Sequence, residues 1–275
     1  MKIGVTLRNM GPQSTPDIMA EGAAHAEALA FDSLWITDHI AIPPDDAEGS
    51  GGRYTDPLTT LAWLAGKTQT IGLATGVMIL PYRPALPTAK QVATLQEFSG
   101  ERLILGVGVG WMDAEFKALG LNRHRRGRQT DEVLALIADC FSNPIVEAHG
   151  QPFIFDPRPE PPPVYIGGRA PHALDRAIRF GHGWLPMARD PSTLARDIAL
   201  FDQKAKDVGT TRGPVTAMTG LPLHDKVAAS ERLAEFAALP LDRLVCALRY
   251  QTIDEYRRQL DQLGRIADEH IGHTP

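Results

Sequence analysis

The sequence predicts a (β/α)8 barrel, and three observations support this fold class. Eight short runs of β-favouring apolar residues alternate with longer amphipathic segments, which is typical of parallel strands joined by helices. Several runs are almost continuously apolar, as expected of strands buried on both faces. The length of 275 residues suits one barrel, which commonly takes ~250 residues. We therefore expect a single α/β barrel domain over residues 1–275.

The predicted strands are spread along the whole chain. They are Lys2–Leu7, Ser33–Thr37, Ile71–Leu80, Arg102–Val107, Val164–Gly167, Gly183–Met187, Val215–Thr219 and Arg243–Leu248. An open doubly wound sheet of these strands would leave exposed edges, whereas a closed barrel leaves none. A closed barrel is therefore the more economical arrangement.

The segments between the strands carry the spacing of helices that pack on one face. Two of them have apolar residues at intervals of three and four, which place one apolar stripe on each helix. These stripes are Val133, Leu134, Ile137, Cys140 and Phe141 in one segment, and Ile253, Tyr256, Leu260, Leu263 and Ile266 in the other. We expect both stripes to face the sheet.

Two segments break the alternation. Residues 143–163 contain seven prolines, too many for a helix or a central strand, so we predict an insertion before the fifth strand. Residues 43–53, PPDDAEGSGGR, follow the second strand and have the Gly, Ser and Asp content of a mobile loop. In a barrel this loop lies on the active face.

Composition excludes several classes of protein. The 28 Lys and Arg against 33 Asp and Glu give a net charge of -5, so the chain has no basic excess for a nucleic acid partner. Cys140 and Cys246 lie far apart, which excludes a disulfide scaffold and a thiolate zinc site and favours a reducing cytoplasm. No stretch approaches the ~18 apolar residues of a membrane helix. We expect a cytoplasmic protein without a membrane partner.

Residues just after the strands are the candidates for chemistry, because barrel active sites form at the carboxyl ends of the strands. Asp38 and His39 follow the second strand, where the imidazole could move a proton beside an acidic neighbour. Adjacent strand residues point to opposite faces, so both cannot enter one pocket. A turn cap at Asp38 with polar packing of His39 is the alternative.

Glycines mark two further strand ends. Gly76 interrupts an apolar run, which indicates a bulge or close ligand approach, or else tight packing inside the barrel. Residues 106–111, GVGVGW, fail the GxGxxG dinucleotide pattern because the last position is tryptophan. Glycines such as Gly108 instead suggest a backbone that turns beneath a flat ligand.

The segment after the fifth strand carries the most specific ligand signal. Gly167, Gly168 and Arg169 precede a helical pattern with Pro171 in its first turn. The glycines leave backbone N–H groups free at the positive end of the helix and Arg169 adds a donor, so the pattern predicts a site for a phosphate-sized anion. A simple glycine turn is the alternative. The chain has no HExxH motif and no HxH on the first strand, so we expect no metal.

Several motifs keep their order over roughly two thirds of the chain. They are Thr37-Asp38-His39, Tyr54 to Leu58, Thr75-Gly76-Val77, Leu80 to Pro84, Gly106 to Trp111 with Glu115-Phe116, Arg126 to Arg128 with Asp131-Glu132, and Val164 to Gly168 with Gly181 to Pro186. Together they resemble the luciferase-like monooxygenase superfamily. The chain looks closest to the short branch of coenzyme F420-dependent oxidoreductases.

This resemblance implies a bacterial luciferase-like barrel that binds a flavin-like ring, with a cis peptide bond at Gly76–Val77 in a bulge behind the ring. The residues it implies for the cofactor are Thr75, Gly76, Val77, Gly108, Gly167, Gly168, Arg169, Leu185, Pro186 and Met187. His39 matches the family's acid/base histidine, with Asp38 beside it as a second catalytic candidate. We expect Trp111 and Tyr82 to line the substrate pocket.

Two positions depart from the F420-dependent alcohol and sugar-phosphate dehydrogenases. A tryptophan and a glutamate of those enzymes are replaced here by Pro43 and Trp111, which argues against a sugar-phosphate substrate. The leading hypothesis is hydride transfer between coenzyme F420 and a small organic molecule, in a homodimer as the family usually shows. An FMN-dependent monooxygenase is the alternative on the same fold, and a non-catalytic flavin-binding protein is the second alternative.

Overall fold

The computed structural model describes residues 1–188 and 190–272, and its centre is a barrel of parallel strands. The barrel strands are β1 (Lys2–Thr6), β2 (Ser33–Ile36), β3 (Gly72–Ile79), β4 (Leu103–Gly108), β7 (Val164–Gly167), β8 (Gly183–Leu185), β9 (Thr216–Thr219) and β10 (Arg243–Cys246); β5 (Ile145–Ala148) and β6 (Gln151–Ile154) form a separate hairpin. The order in the sheet is β8-β7-β4-β3-β2-β1-β10-β9. Bridges from Trp184 to Val215 and from Met187 to Met218 join the two ends. The predicted (β/α)8 fold is confirmed.

Helices cover the outside of the sheet. They are α1 (Pro16–Ala28), α2 (Pro57–Ala65), α3 (Ala85–Phe98), α4 (Asp113–Ala118), α5 (Arg126–Ser142), α6 (His172–Phe180), α7 (Pro191–Asp207), α8 (Lys226–Ala237) and α9 (Ile253–Ile271). Thr15, Asp56 and Thr252 precede three of them and accept a hydrogen bond from a first-turn N–H, which explains where these helices begin. The predicted stripes of α5 and α9 are buried, except that Ile253 is half-buried. None of the helices in the described part of the chain has the length and hydrophobicity of a membrane span.

The predicted insertion, residues 143–163, contains the antiparallel hairpin of β5 and β6. Pro152 fits in β6 because a two-stranded hairpin leaves one side of each strand without a partner. Val146 and Phe155 are buried, and the Gln96 amide of α3 donates to the Glu160 carbonyl at 3.0 Å. The segment therefore packs on the outside of the barrel. The assignment of the chain to one domain remains a prediction.

The inside of the barrel is filled by side chains. One residue comes from each barrel strand other than β1: Trp35, Ala74, Ile104, Tyr165, Leu185, Met218 and Val245. Strand β1 contributes Gly4, where a Cβ atom would lie only 2.7 Å from the Trp35 indole nitrogen. Because this layer closes the barrel, a ligand can bind only at its end.

Strand β3 contains the bulge that the sequence indicates. Its register against β4 shifts between Thr75 and Met78, and the Gly76–Val77 peptide bond is cis. The bulge brings the Thr75 carbonyl close to Gly106, where a Cβ atom would lie 2.1 Å from that oxygen and 2.9 Å from Leu185 Cδ2. Glycine at position 106 is therefore required by the close approach of two backbones.

We expect Gly106→Ala to lower the free energy of unfolding by ~1–3 kcal/mol, because the added methyl group overpacks against the backbone. Gly220→Ala is the matched control, since a Cβ atom there has no neighbour closer than 3.9 Å. Urea denaturation of both variants measures the difference. Equal stability of the two variants would contradict the packing argument.

Candidate active site

A cavity of about 840 Å³ opens at the carboxyl ends of the barrel strands. Its wall includes residues at or near the carboxyl end of every strand of the barrel, together with residues 48–50 from the loop after β2. Small-molecule sites usually occupy ~300–1,000 Å³. The position and size of this cavity are therefore those of a barrel active site.

His39 lies in the cavity wall directly after β2, with 14% of its side chain exposed. Its Nδ1 atom is 2.7 Å from Glu115 Oε2. The rings of Tyr54 and Trp111 meet the imidazole edge-on, with centroids at 4.9 and 6.3 Å. No described residue forms a hydrogen bond with Nε2. This nitrogen is available to a ligand in the cavity.

Glu115, in α4, is fully buried and its carboxylate accepts four hydrogen bonds. The backbone N–H groups of Ile40 and Ala41 donate to Oε1 at 2.7 and 3.0 Å, and the Tyr82 hydroxyl donates to Oε2 at 3.0 Å. Burial raises the pKa of Glu115, but these backbone hydrogen bonds and the contact with His39 outweigh it, so the pKa lies below its usual value.

The ionised Glu115 determines which nitrogen of the neutral His39 ring carries the proton. A carboxylate only accepts hydrogen bonds, so the Nδ1 atom of His39 must carry a proton. In the neutral imidazole the Nε2 atom is then the acceptor that faces the cavity. Burial and the Glu115 charge raise the pKa of Tyr82, which keeps its hydroxyl a donor. The arrangement can therefore take up a proton at Nε2 and stabilise the resulting imidazolium.

Asp38 has a different role from the one that its position beside His39 suggested. Its side chain is buried, and Arg83 donates to both carboxylate oxygens at 2.6 and 2.9 Å. The Ile79 N–H also donates to Asp38 at 2.9 Å. Both residues line the cavity, contrary to the expectation that only one could enter it, because they lie beyond Ile36, the last residue of β2. The Asp38 carboxylate is bonded to β3 and to Arg83, whereas the His39 ring is bonded to Glu115. The acidic group bonded to His39 is therefore Glu115 and not the neighbouring Asp38, and a catalytic role for Asp38 stays a prediction.

Seven of the residues predicted to bind a cofactor line the cavity. They are Gly76, Val77, Gly108, Gly167, Gly168, Leu185 and Met187. The bulge directs Val77 between β4 and β7, and a Cβ atom on Gly108 or Gly167 would lie 2.6 Å from its side chain. These two glycines therefore make room for Val77 as well as for a ligand.

Three predicted cofactor residues do not line the cavity. The Thr75 hydroxyl is buried and donates to the Gly106 carbonyl at 2.7 Å, and the Pro186 carbonyl accepts from the Met218 N–H at 2.9 Å. Arg169 is exposed and forms no ion pair with a described residue. Pro171 precedes α6 rather than lying in its first turn, and its bond to Ala170 is cis.

Of the two residues predicted to line the substrate pocket, one lies in the cavity wall and the other lies outside it. Trp111 lies in the cavity wall and is 65% exposed. Tyr82 is buried outside the wall, where it bonds to Glu115 and packs edge-on against Phe116 at 5.1 Å. Its hydroxyl is directed at the carboxylate behind His39, and a contact between Tyr82 and the substrate stays a prediction.

Glu115 is the site residue that sequence reasoning missed. It occurs in the Glu115-Phe116 motif but lies 76 positions from His39, so no local spacing connects them. The signal in the sequence that could have indicated Glu115 is an acidic residue next to Phe116 in a short helical segment after β4. Among residues 1–188 and 190–272, no group of three or more His, Cys, Asp or Glu side chains is arranged to hold a metal ion.

Comparisons with known proteins show which family the sequence belongs to. A family described as luciferase-like monooxygenase matches residues 1–274. The F420-dependent hydroxymycolic acid dehydrogenase of Mycobacterium tuberculosis is 30% identical over 241 residues, which are 82% of this chain and 64% of that protein.

Two solved structures share the fold. The coenzyme F420-dependent tetrahydromethanopterin reductase of Methanopyrus kandleri has a TM-score of 0.75 at 18% identity and covers 100% of this chain and 99% of its own. The oxygenating constituent of 3,6-diketocamphane monooxygenase of Pseudomonas putida, in complex with FMN, has a TM-score of 0.76 at 13% identity, with 96% and 97% covered. At such identities these structures show the fold alone. The match over residues 1–274 shows that the chain belongs to the luciferase-like monooxygenase family of oxidoreductases.

Proposed function

We propose that the chain transfers a hydride between coenzyme F420 and a small organic substrate that carries a hydroxyl or carbonyl group. The observation that carries this proposal is the buried pair of Glu115 and His39, which leaves Nε2 facing the cavity next to the β3 bulge. The F420-dependent relative that shares 30% identity over 82% of this chain supports the choice of cofactor. A cytoplasmic location and a homodimer remain predictions.

The cavity has features that fit such a cofactor. Gly168 has a φ of 130°, which only glycine adopts easily, and its carbonyl is held by the Trp184 indole N–H at 3.0 Å. The backbone N–H groups of Gly168 and Arg169 donate to no described residue and are free to hold a phosphate oxygen. Val77 and Gly76, on the neighbouring side of the wall, would lie against the face of a flat ring.

The residues of this chain then act on the proton while the bound deazaflavin exchanges the hydride. In the oxidising direction, His39 Nε2 accepts the proton of the substrate hydroxyl, and in the reducing direction the imidazolium returns it to the carbonyl oxygen. Glu115 keeps the imidazole in the tautomer that accepts at Nε2 and stabilises the imidazolium by its charge. Tyr54 and Trp111 pack beside the imidazole of His39 and reduce the access of water to it.

The identity of the cofactor can be tested directly. When the chain is produced in a host that makes both F420 and FMN, we expect F420 to co-purify, because the family resemblance favours the deazaflavin. Absorbance and mass of the released molecule identify it. Tight FMN binding with consumption of oxygen would contradict the proposal and favour the FMN-dependent monooxygenase.

We expect His39→Ala to lower kcat for hydride transfer by ~10²–10⁴-fold, because the substrate proton loses its acceptor. The affinity for F420 should change little, since the cavity wall next to the phosphate site is intact. Steady-state kinetics and cofactor titration measure the two effects. Unchanged turnover in the variant would exclude the proton role of His39. If the wild type and the variant bind the cofactor equally well and neither shows turnover, the result would favour a non-catalytic flavin-binding protein.

We expect Glu115→Gln to lower kcat at least ~10-fold while the variant still binds F420, because an amide can either accept from or donate to Nδ1 and carries no charge to stabilise the imidazolium. Asp113→Asn is the matched control, since Asp113 is exposed on the same helix and pairs only with Lys117. Thermal unfolding of both variants monitors the fold. Equal kcat in the two folded variants would show that Glu115 does not act through His39.

A further inference from the structure

We propose that the substrate is a small organic acid, and that Arg8 and Arg249 bind its carboxylate on the side of the cavity opposite the phosphate site. The proposal rests on the proposed function in one respect, which is that the hydroxyl or carbonyl group of the substrate lies next to His39. Its evidence is the environment of the two arginines, their position in the barrel and the charges around them.

Arg8, which follows β1, is half-buried in the cavity wall and pairs with no carboxylate among the described residues. Its Nη1 donates to the Tyr250 carbonyl at 3.1 Å and its Nη2 donates to the Gly49 carbonyl at 3.2 Å. Its Nε is buried and has no partner in the described part of the chain. By contrast, Arg83 and Arg243 are bonded to carboxylates. The Arg8 guanidinium also lies over the Tyr250 ring, 6.0 Å from its centroid. The wall of the cavity therefore contains a positive charge that carbonyl groups and an aromatic ring hold in place, with no described carboxylate beside it.

Arg249 brings a second positive charge to the same part of the wall. Strands β1 and β10 are neighbours, and Val5 of β1 pairs with Cys246 of β10. Arg8 lies three residues beyond Val5, and Arg249 lies three residues beyond Cys246. Parallel strands lie ~4.8 Å apart, which places the two backbones at the same level and close together. The Arg249 side chain is exposed and forms no ion pair with a described residue.

The acidic groups of the wall do not neutralise this pair. Asp38 is bonded to Arg83, and Glu48 is exposed and forms no ion pair with either arginine. The part of the wall formed by β1 and β10 therefore has an excess of positive charge. A carboxylate is the ligand group that guanidinium binds best with two parallel hydrogen bonds.

The strand order separates this positive region from the phosphate site. Around the closed barrel β1 lies four strands from β7, which carries Gly167, so the two sites are on opposite sides. A cofactor phosphate at Gly168 therefore does not need Arg8 or Arg249. Strand β2, which leads to His39, is next to β1.

The same spacing sets the size of the substrate. One to two strand spacings separate His39 from the arginines, which corresponds to ~5–10 Å between the reacting carbon and the carboxylate. Met10, Leu248 and Met218 lie in the wall between or beside them and offer apolar contacts to the carbon skeleton. The structure assigns the substrate to hydroxy or oxo acids with a compact apolar body.

The test compares para-(hydroxymethyl)benzoate with para-(hydroxymethyl)benzamide, which differ in the acid group alone. Isothermal titration calorimetry on the purified protein with its bound cofactor measures both dissociation constants. We expect the acid to bind at least ~10-fold more tightly than the amide, because only the acid forms charge-assisted hydrogen bonds. Increasing the salt concentration should reduce this preference, since Arg249 is exposed to solvent.

We expect Arg8→Met to remove most of the preference and Arg249→Met to reduce it, whereas Arg265→Met should leave it unchanged because Arg265 is exposed on α9. Arg249→Met keeps the test decisive if Arg8→Met does not fold, since an exposed side chain is not needed for folding. Equal binding of acid and amide to the wild type, a preference that survives both variants, or no binding of either compound would overturn the proposal.

Calorimetry does not depend on turnover, so the two proposals can fail separately. A preference for the acid in a protein that binds FMN would contradict the proposed function and leave the acid site standing. F420-dependent oxidation of neutral alcohols, without any preference for acids in binding, would support the proposed function and overturn the acid site.

Discussion

The buried carboxylate of Glu115 is the interaction on which the site depends. A charge without solvent contact is tolerated only when its oxygens are fully hydrogen-bonded, and here the backbone after β2, the ring of His39 and the hydroxyl of Tyr82 supply the donors. These donors come from the segments after β2 and β3, while Glu115 lies in the helix after β4. One carboxylate therefore joins the carboxyl ends of three neighbouring strands and, in the same contact, orients the imidazole toward the cavity.

A second constraint comes from the bulge of β3. Once Val77 leaves the regular strand, its side chain takes the space next to β4 and β7, and only glycine fits at positions 108 and 167. The bulge also brings the Thr75 carbonyl against Gly106, so one backbone irregularity explains glycines on two other strands. The wall that would face a flat ring is therefore built from backbone and from small side chains, which gives a planar ligand close access to the barrel end.

The arginines at the carboxyl end of the barrel differ in the groups to which they bond. Arg83 is held between Asp38 and Asp56, so it joins β2, the segment after β3 and the start of α2 and is not available to a ligand. Arg8 differs because its guanidinium bonds to neutral carbonyl oxygens and faces the cavity. The same residue type therefore bonds to carboxylates after β3 and to neutral carbonyl groups after β1, two strands away.

The sequence by itself determined the barrel, its eight strands, the position of His39 and the glycine-rich strand ends, because apolar periodicity and glycine content are local properties of the chain. The hairpin in the proline-rich insertion escaped prediction, since prolines that exclude a central strand are still compatible with an exposed one. Only the tertiary structure decided which acid bonds to His39, that Tyr82 lies behind Glu115, and that Arg8 bonds to the Tyr250 carbonyl. These contacts join groups separated by 76, 33 and 242 positions in the chain, so they depend on how strand ends converge around the closed barrel and not on any local pattern.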